Sequence, residues 1–193
     1  MRFIANWFNQ YAIFQLCIIF IKEKIMSDAP VINIGISEKD RAKISDALSK
    51  VLADSFVLYM KIHNYHWNVT GPMFQTLHVM FMDQYTELWN AVDEIAERIR
   101  SLGYHAPGTF KEFLKLSSMK EIEGSVNADK MIRDVISGHE TVARSARAAL
   151  KVAEKADDQP TIDVMVQRLQ IHEKNAWMLR SLIDKKLSDG KKK

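Results

Sequence analysis

The sequence predicts an all-α protein in which four long helices form a bundle. Apolar residues recur at three- and four-residue spacing in four long stretches, which is the period of an amphipathic helix. Only seven Gly and four Pro interrupt the 193 residues, and 47% of the residues are hydrophobic, a balance typical of a helical globular protein. A chain of this length can bury one sizeable core, so a single domain is expected.

Start and stop signals bound the four helices. Ser37 with Asp40 is a weak form of the capping box at the first helix start. Gly71-Pro72 breaks the chain after this helix, and Gly103 is a typical stop for the second one. In chain order, the predicted helices cover residues 37–70, 74–102, 126–156 and 160–187.

A long connection, residues 104–124, separates the second helix from the third. It contains Pro107, Gly108 and Gly124, and residues 110–114 within it have the pattern of a short helix. A connection of this length lets the second and third helices run parallel, whereas a simple up-and-down bundle needs only short loops. We therefore predict a ferritin-like four-helix bundle with a short helix in the long connection between helices 2 and 3.

The first 25 residues differ in character from the rest of the chain. They hold an apolar run, residues 12–21, that resembles a signal-peptide core but is too short for a membrane span. We interpret residues 1–25 as an extension from a misassigned start or as a targeting-like segment, with an amphipathic extension as a third hypothesis. An N-terminal tail then covers residues 26–36, the helical domain covers 37–187, and a lysine-rich C-terminal tail covers 188–193.

Charge and cysteine content narrow the classes of function. The net charge of +3 is modest, far from the strongly basic balance that indicates nucleic-acid binding. Cys17 is the only cysteine, which leaves no disulfide framework and no thiolate zinc site. This cysteine usage fits the reducing cytoplasm, where we expect the protein, and no membrane partner is expected.

Two imidazoles and two carboxylates, His66, His78, Asp93 and Glu97, lie in one helical stretch of the chain. These side chains are the ligand types that bind iron, manganese or zinc. If residues 74–102 form one helix, His78 and Asp93 are about 22 Å apart along its axis, because each residue rises about 1.5 Å. One metal centre cannot span that distance.

The four residues therefore predict two half-sites. Asp93 and Glu97 can share a metal, because residues four apart lie on one helix face. His66 and His78 can share one if the chain folds back tightly at Gly71-Pro72. The simplest completion is a second copy, in which the histidines of one subunit meet the carboxylates of its two-fold partner. The chain contains no Glu-x-x-His, which counts against a di-iron site inside the bundle.

Three motifs carry a family resemblance: HWNVTG at residues 66–71, LHVMF at 77–81 and AVDEIAER at 91–98. Over residues 30–187 the chain closely resembles the Dps family, the DNA-binding proteins from starved cells. The resemblance implies a dodecameric shell that oxidises Fe(II) with hydrogen peroxide and stores the ferric mineral. It also implies an iron site, di-iron or mono-iron, shared between two subunits at each two-fold interface.

The resemblance assigns roles residue by residue. His66 and His78 come from one subunit as metal ligands, and Asp93 and Glu97 come from its partner. Trp67 is the catalytic candidate for an electron donor beside the iron; its alternative is simple packing.

One position departs from the family pattern. The family usually has an acidic residue four positions after the second histidine, and here that residue is Met82. A thioether is a poor ligand for iron. Asp83 lies about 100° further round the helix and cannot simply substitute. We expect weaker occupancy of one iron position or an altered metal preference, with His63 as a candidate for compensation.

Other titratable residues have less specific interpretations. We expect His139 and His172 to be structural or surface residues. Asp157, Asp158 and Asp163 line an acidic pore for iron in one hypothesis and cap the last helix in the other.

Two functions compete. The first is an iron-sequestering ferroxidase that removes Fe(II) and peroxide and so protects DNA from oxidative damage. The alternative is a DNA-condensing nucleoid protein with weak or altered metal chemistry. A third and weaker hypothesis is a shell whose main cargo is another divalent metal, given Met82.

We expect at most weak DNA binding. Lys191, Lys192 and Lys193 are the only basic tail, since residues 26–37 hold no lysine or arginine. Three charges per subunit make few phosphate contacts, although repetition around a shell adds avidity. Any retardation of DNA in a gel-shift at low salt should therefore disappear as salt is raised. A full-length shell that retards no DNA at low salt removes DNA binding altogether.

Overall fold

The protein is all-helical in the part described by its computed structural model, residues 32–183. The helices are α1, Glu38–Asn68; α2, Phe74–Ser101; α3, Phe110–Leu116; α4, Ala128–Glu154; and α5, Gln159–Arg180. The predicted four long helices and the short connecting helix are thus confirmed. The end predicted for the last helix, residue 187, is wrong, because α5 ends at Arg180. The predicted extension over 1–25 and the lysine tail over 188–193 lie outside the described residues.

Local signals position the helix ends as the sequence predicts. The Ser37 hydroxyl accepts a hydrogen bond from the Asp40 amide at 3.2 Å and donates one to its carboxylate at 2.7 Å. Gly71 and Gly103, just beyond α1 and α2, have φ values of +107° and +94°. Side chains rarely tolerate this left-handed backbone, so glycine allows the chain to leave each helix abruptly.

The chain directions follow from contacts between α1 and α4. Near one end of α1, the Lys61 ammonium pairs with the Asp134 carboxylate at 2.9 Å. Lys50, nearer the start of α1, lines the same groove as Ala148, which lies nearer the end of α4. The two helices are therefore antiparallel. Because α1 also packs antiparallel to α2 across a short turn, α2 and α4 run parallel, as the long connection predicts.

A fully buried polar cluster crosses the core between three helices. The Nδ1 atoms of His139 on α4 and His172 on α5 lie 2.9 Å apart. The other ring nitrogen of His139 lies 3.1 Å from the amide oxygen of Gln84 on α2. Both histidines have no exposed surface. Of the two expected roles, structural or surface, the structural one is therefore correct.

Burial keeps these two histidines neutral. It lowers the pKa of His139 to about 3. Burial also lowers the pKa of His172 well below its ordinary value, and His139 and Arg168 lower it further. A charged imidazole would lose its hydration without gaining an anionic partner, which explains the direction of both shifts.

Acid should therefore destabilise the bundle through these histidines. The pKa of His139 is 6.5 in the unfolded chain and about 3 in the folded protein, so between these pH values only the unfolded chain is protonated at this residue. The contribution of neutral His139 to folding stability is thus complete above this pH window and is lost as the pH falls through it. His139→Gln should reduce the slope of unfolding free energy against pH by up to about 1.4 kcal/mol per unit.

The matched control is His105→Gln, which changes an exposed histidine outside the helices. Urea unfolding across this pH window measures the slopes. Equal slopes for wild type and His139→Gln would contradict the burial argument.

No helix within residues 32–183 is long and apolar enough to cross a membrane. The apolar run at residues 12–21, which raised the question, lies outside that range.

Candidate metal centre

The α1–α2 turn brings His66 and His78 together, as the sequence predicts. The rings stack with their centroids 3.8 Å apart and their planes 19° apart. Each ring also bonds to the other residue's backbone. His66 Nδ1 lies 2.7 Å from the His78 carbonyl oxygen, and His78 Nδ1 lies 2.9 Å from the His66 carbonyl oxygen.

These reciprocal bonds fix the chemistry of both rings. A carbonyl oxygen only accepts hydrogen bonds, so each Nδ1 must carry the proton and donate it. In the neutral imidazole, Nε2 of His66 and of His78 then keeps its lone pair. This is the arrangement in which a metal-binding histidine is oriented by a second hydrogen bond through its other nitrogen. Each of the two residues therefore has the donor atom and the tautomer of a metal ligand.

Aromatic side chains surround the two histidines. His63 stacks on Tyr85, with ring centroids 4.0 Å apart, and packs against Trp67 at 4.3 Å. Its Nδ1 lies 3.2 Å from the Tyr59 hydroxyl oxygen. Burial lowers the pKa of His63, and the neighbouring His66 lowers it further. Trp67 itself is 59% exposed, so its indole is largely available to another molecule.

The carboxylate half-site lies at the other end of α2. Asp93 and Glu97 are both exposed and one turn apart on the same helix. Asp93 borders an apolar groove of about 610 Å³, whose walls include Trp89 on α2 and Phe110 on α3. Since α2 is continuous from Phe74 to Ser101, His78 and Asp93 are about 22 Å apart along its axis.

Both half-sites nevertheless share one face of the molecule. His78, Met82, Tyr85, Trp89 and Asp93 follow one another along α2 at three- and four-residue spacing, so they form one stripe. Trp89 contacts Tyr59 of α1, with ring centroids 5.6 Å apart, which continues the aromatic row from the histidines. Trp89 is 60% exposed. An apolar, aromatic face of this kind is typical of a surface that packs against another protein.

The structure thus brings the predicted residues together in pairs but not as a set of four. No group of three or more His, Cys, Asp or Glu side chains in the described part of the chain lies close enough to hold one metal ion.

Met82 and Asp83 lie on the sides of α2 that the sequence predicts for them. Met82 is exposed one turn after His78. Asp83 lies on the other side of α2, where it borders a groove with Gln84 and with Lys174 of α5. Asp83 therefore does not replace the missing carboxylate.

The sequence interpretation missed Arg98, the residue after Glu97. Its guanidinium pairs with the buried Asp158 carboxylate at 2.6 Å and donates to the Thr161 hydroxyl at 2.9 Å. This pair ties the last turns of α2 to the start of α5 beside the carboxylate half-site. Asp158 caps α5 and has no exposed surface, so the pore hypothesis is wrong for this residue. An arginine next to Glu97 was visible in the sequence, but its partner sixty residues away was not.

Comparison with known proteins agrees with the fold. Residues 45–187 match the family model described as a ferritin-like domain. A low temperature-induced protein of Nostoc is 38% identical over 157 residues, 80% of this chain and 88% of the relative. The DNA protection during starvation protein 2 of Bacillus anthracis is 37% identical over 142 residues, 74% of this chain and 97% of the relative.

Solved structures are similar too. The crystal structure of the Dps protein of Vibrio cholerae superposes with a TM-score of 0.76 at 30% identity, covering 81% of this chain and 99% of that one. That protein is described as a member of a broad superfamily of ferritin-like diiron-carboxylate proteins. The fold and these relatives define a ferritin-like protein. Within that class, the chain belongs to the Dps family.

Proposed function

We propose that this protein sequesters iron as a ferroxidase of a Dps-type shell, oxidising Fe(II) with hydrogen peroxide and storing the ferric mineral. The observation that carries the proposal is the reciprocal bonding of His66 and His78, which leaves the Nε2 lone pair of each ring as a metal-ligand atom. Family membership supports the coarser part, iron storage and protection of DNA.

The site is completed by a second subunit. A two-fold axis near the middle of the α2 stripe places the histidine half-site of one subunit opposite Asp93 and Glu97 of the other. The exposed Trp67 and Trp89 and the apolar groove beside Asp93 would be covered by the same contact. Twelve subunits in a hollow dodecamer would carry these interfaces, with the mineral inside.

The residues divide the chemistry between them. Neutral imidazoles of His66 and His78 bind Fe(II) without adding charge, whereas the carboxylates of Asp93 and Glu97 stabilise the more highly charged oxidised ion. Where only one Fe(II) is bound, Trp67 beside this site would supply the second electron that peroxide needs. Hydrogen peroxide takes its two electrons from two Fe(II) ions, so no hydroxyl radical is released. DNA is protected because both reactants are consumed.

His66→Ala and Asp93→Ala should each slow Fe(II) oxidation by peroxide. Losing even the residue that orients a metal ligand commonly costs about ten- to a hundredfold in affinity or activity, so loss of a ligand itself should lower the initial rate by at least about tenfold. Stopped-flow absorbance of the ferric product measures the rate.

Two matched variants control for nonspecific effects. His105→Ala removes an exposed histidine outside the site, and Glu94→Ala removes the exposed carboxylate next to Asp93 on a different side of α2. Both should oxidise iron like wild type. Unchanged rates in His66→Ala and Asp93→Ala would sink the site assignment.

A further inference from the structure

Tyr59 and His63 form a hydrogen-bonded pair beside the histidine half-site. They lie one turn apart on α1, and the Tyr59 hydroxyl oxygen is 3.2 Å from Nδ1 of His63. The phenol is the stronger acid of the two groups and the imidazole nitrogen is the stronger base, so the phenol donates and Nδ1 accepts. Tyr59 therefore has a proton acceptor already within hydrogen-bond reach.

The His63 ring also connects this pair to Trp67. It packs against the Trp67 indole with ring centroids 4.3 Å apart, and the Tyr59 ring lies 5.5 Å away on the same measure. The indole and the phenol thus contact one imidazole between them. This places them close enough for an electron to pass from one to the other.

A second tyrosine beside His63 lacks the hydrogen bond. Tyr85 stacks on the His63 ring with centroids 4.0 Å apart, but its hydroxyl bonds to no ring nitrogen within residues 32–183. A tyrosine that loses an electron becomes a very strong acid, so its oxidation is easy only where a base takes the proton. Of the two tyrosines, Tyr59 is therefore the one that can lose an electron and a proton together.

We propose that Tyr59 and His63 form a redox pair that returns an electron to Trp67. The inference rests on the proposed function, in which hydrogen peroxide is the oxidant and Trp67 supplies the second electron where only one Fe(II) is bound. Trp67 is then a radical cation, one electron short. Tyr59 gives it that electron, and the phenolic O–H bond breaks as its proton passes to Nδ1 of His63.

This step restores Trp67 and leaves a neutral tyrosyl radical beside a protonated imidazole. Tyr59 and His63 are both half-buried, whereas Trp67 is 59% exposed. The oxidising equivalent therefore ends on the less exposed of the two oxidisable rings, where it is better separated from other molecules.

Freeze-quench electron paramagnetic resonance of the assembled protein tests the pair. The protein receives one Fe(II) per subunit and then hydrogen peroxide, which limits the route that uses two Fe(II) ions. Wild type should give a tyrosyl signal that narrows when the protein contains ring-deuterated tyrosine. Tyr59→Phe keeps the ring and removes the hydroxyl, so the tyrosyl signal should be lost and a tryptophan radical should persist.

Two further variants make the test specific. Tyr104→Phe removes a hydroxyl that donates to the Glu38 carbonyl oxygen near the other end of α1, and its signal should match wild type. His63→Gln has an amide oxygen that can accept a hydrogen bond but takes up no proton, so the tyrosyl signal should be lost. A wild-type tyrosyl signal in Tyr59→Phe or in His63→Gln would overturn the proposal.

The ferric product, measured by absorbance in the same samples, separates this inference from the proposed function. If wild type oxidises iron without a tyrosyl signal, only the redox pair is overturned. If wild type forms no ferric product, the proposed function fails and the redox pair fails with it. If His66→Ala oxidises iron and gives the Tyr59 signal as wild type does, the ferroxidase site assignment fails and the redox pair stands.

Discussion

Two hydrogen bonds between imidazoles and backbone carbonyls hold together the turn between α1 and α2, where the proposed metal site lies. Each of His66 and His78 donates from Nδ1 to the carbonyl oxygen of the other, so the bonds join the last turn of α1 to the second turn of α2. The same bonds decide which nitrogen of each ring keeps its lone pair. Local structure and ligand chemistry thus depend on one interaction, and loss of either histidine affects both.

The second constraint is the rigidity of α2. A continuous helix from Phe74 to Ser101 keeps the histidines and the carboxylates apart however the loops adjust. Pairing with another subunit is therefore a geometric requirement for a site of four such ligands. The aromatic stripe between the half-sites offers apolar area for such a subunit contact. It also lies where the proposed two-fold axis would pass.

The sequence alone predicts much of this arrangement. Helical periodicity and the glycines at 71 and 103 give the helices, and helix rise gives the separation of His78 from Asp93. Such predictions succeed because they depend on residues close together in the chain. The closeness of His66 and His78 needs only a tight turn, so the sequence predicts it. Their tautomers depend on which carbonyl oxygens face the rings, and only the three-dimensional structure gives that.

Long-range partners are where sequence interpretation fails. His139 and His172 are separated by 33 residues and meet only because α4 and α5 pack together. Asp158 looks like a surface residue in an acidic loop, but Arg98 draws it into a buried ion pair. Neither pairing has a local pattern that would reveal it. Met82 is the reverse case, since its position four residues after His78 is evident in the sequence and the structure adds only that its side chain is exposed.

Subunit mixing tests most directly whether one site needs two chains, as proposed. Subunits carrying His66→Ala are unfolded, mixed equally with subunits carrying Asp93→Ala, and reassembled. Random pairing across two-fold interfaces leaves about a quarter of the sites with both wild-type halves. If the sites are shared, the mixture should regain about that share of wild-type iron oxidation, although neither parent has it. A mixture no more active than its parents would contradict the shared site.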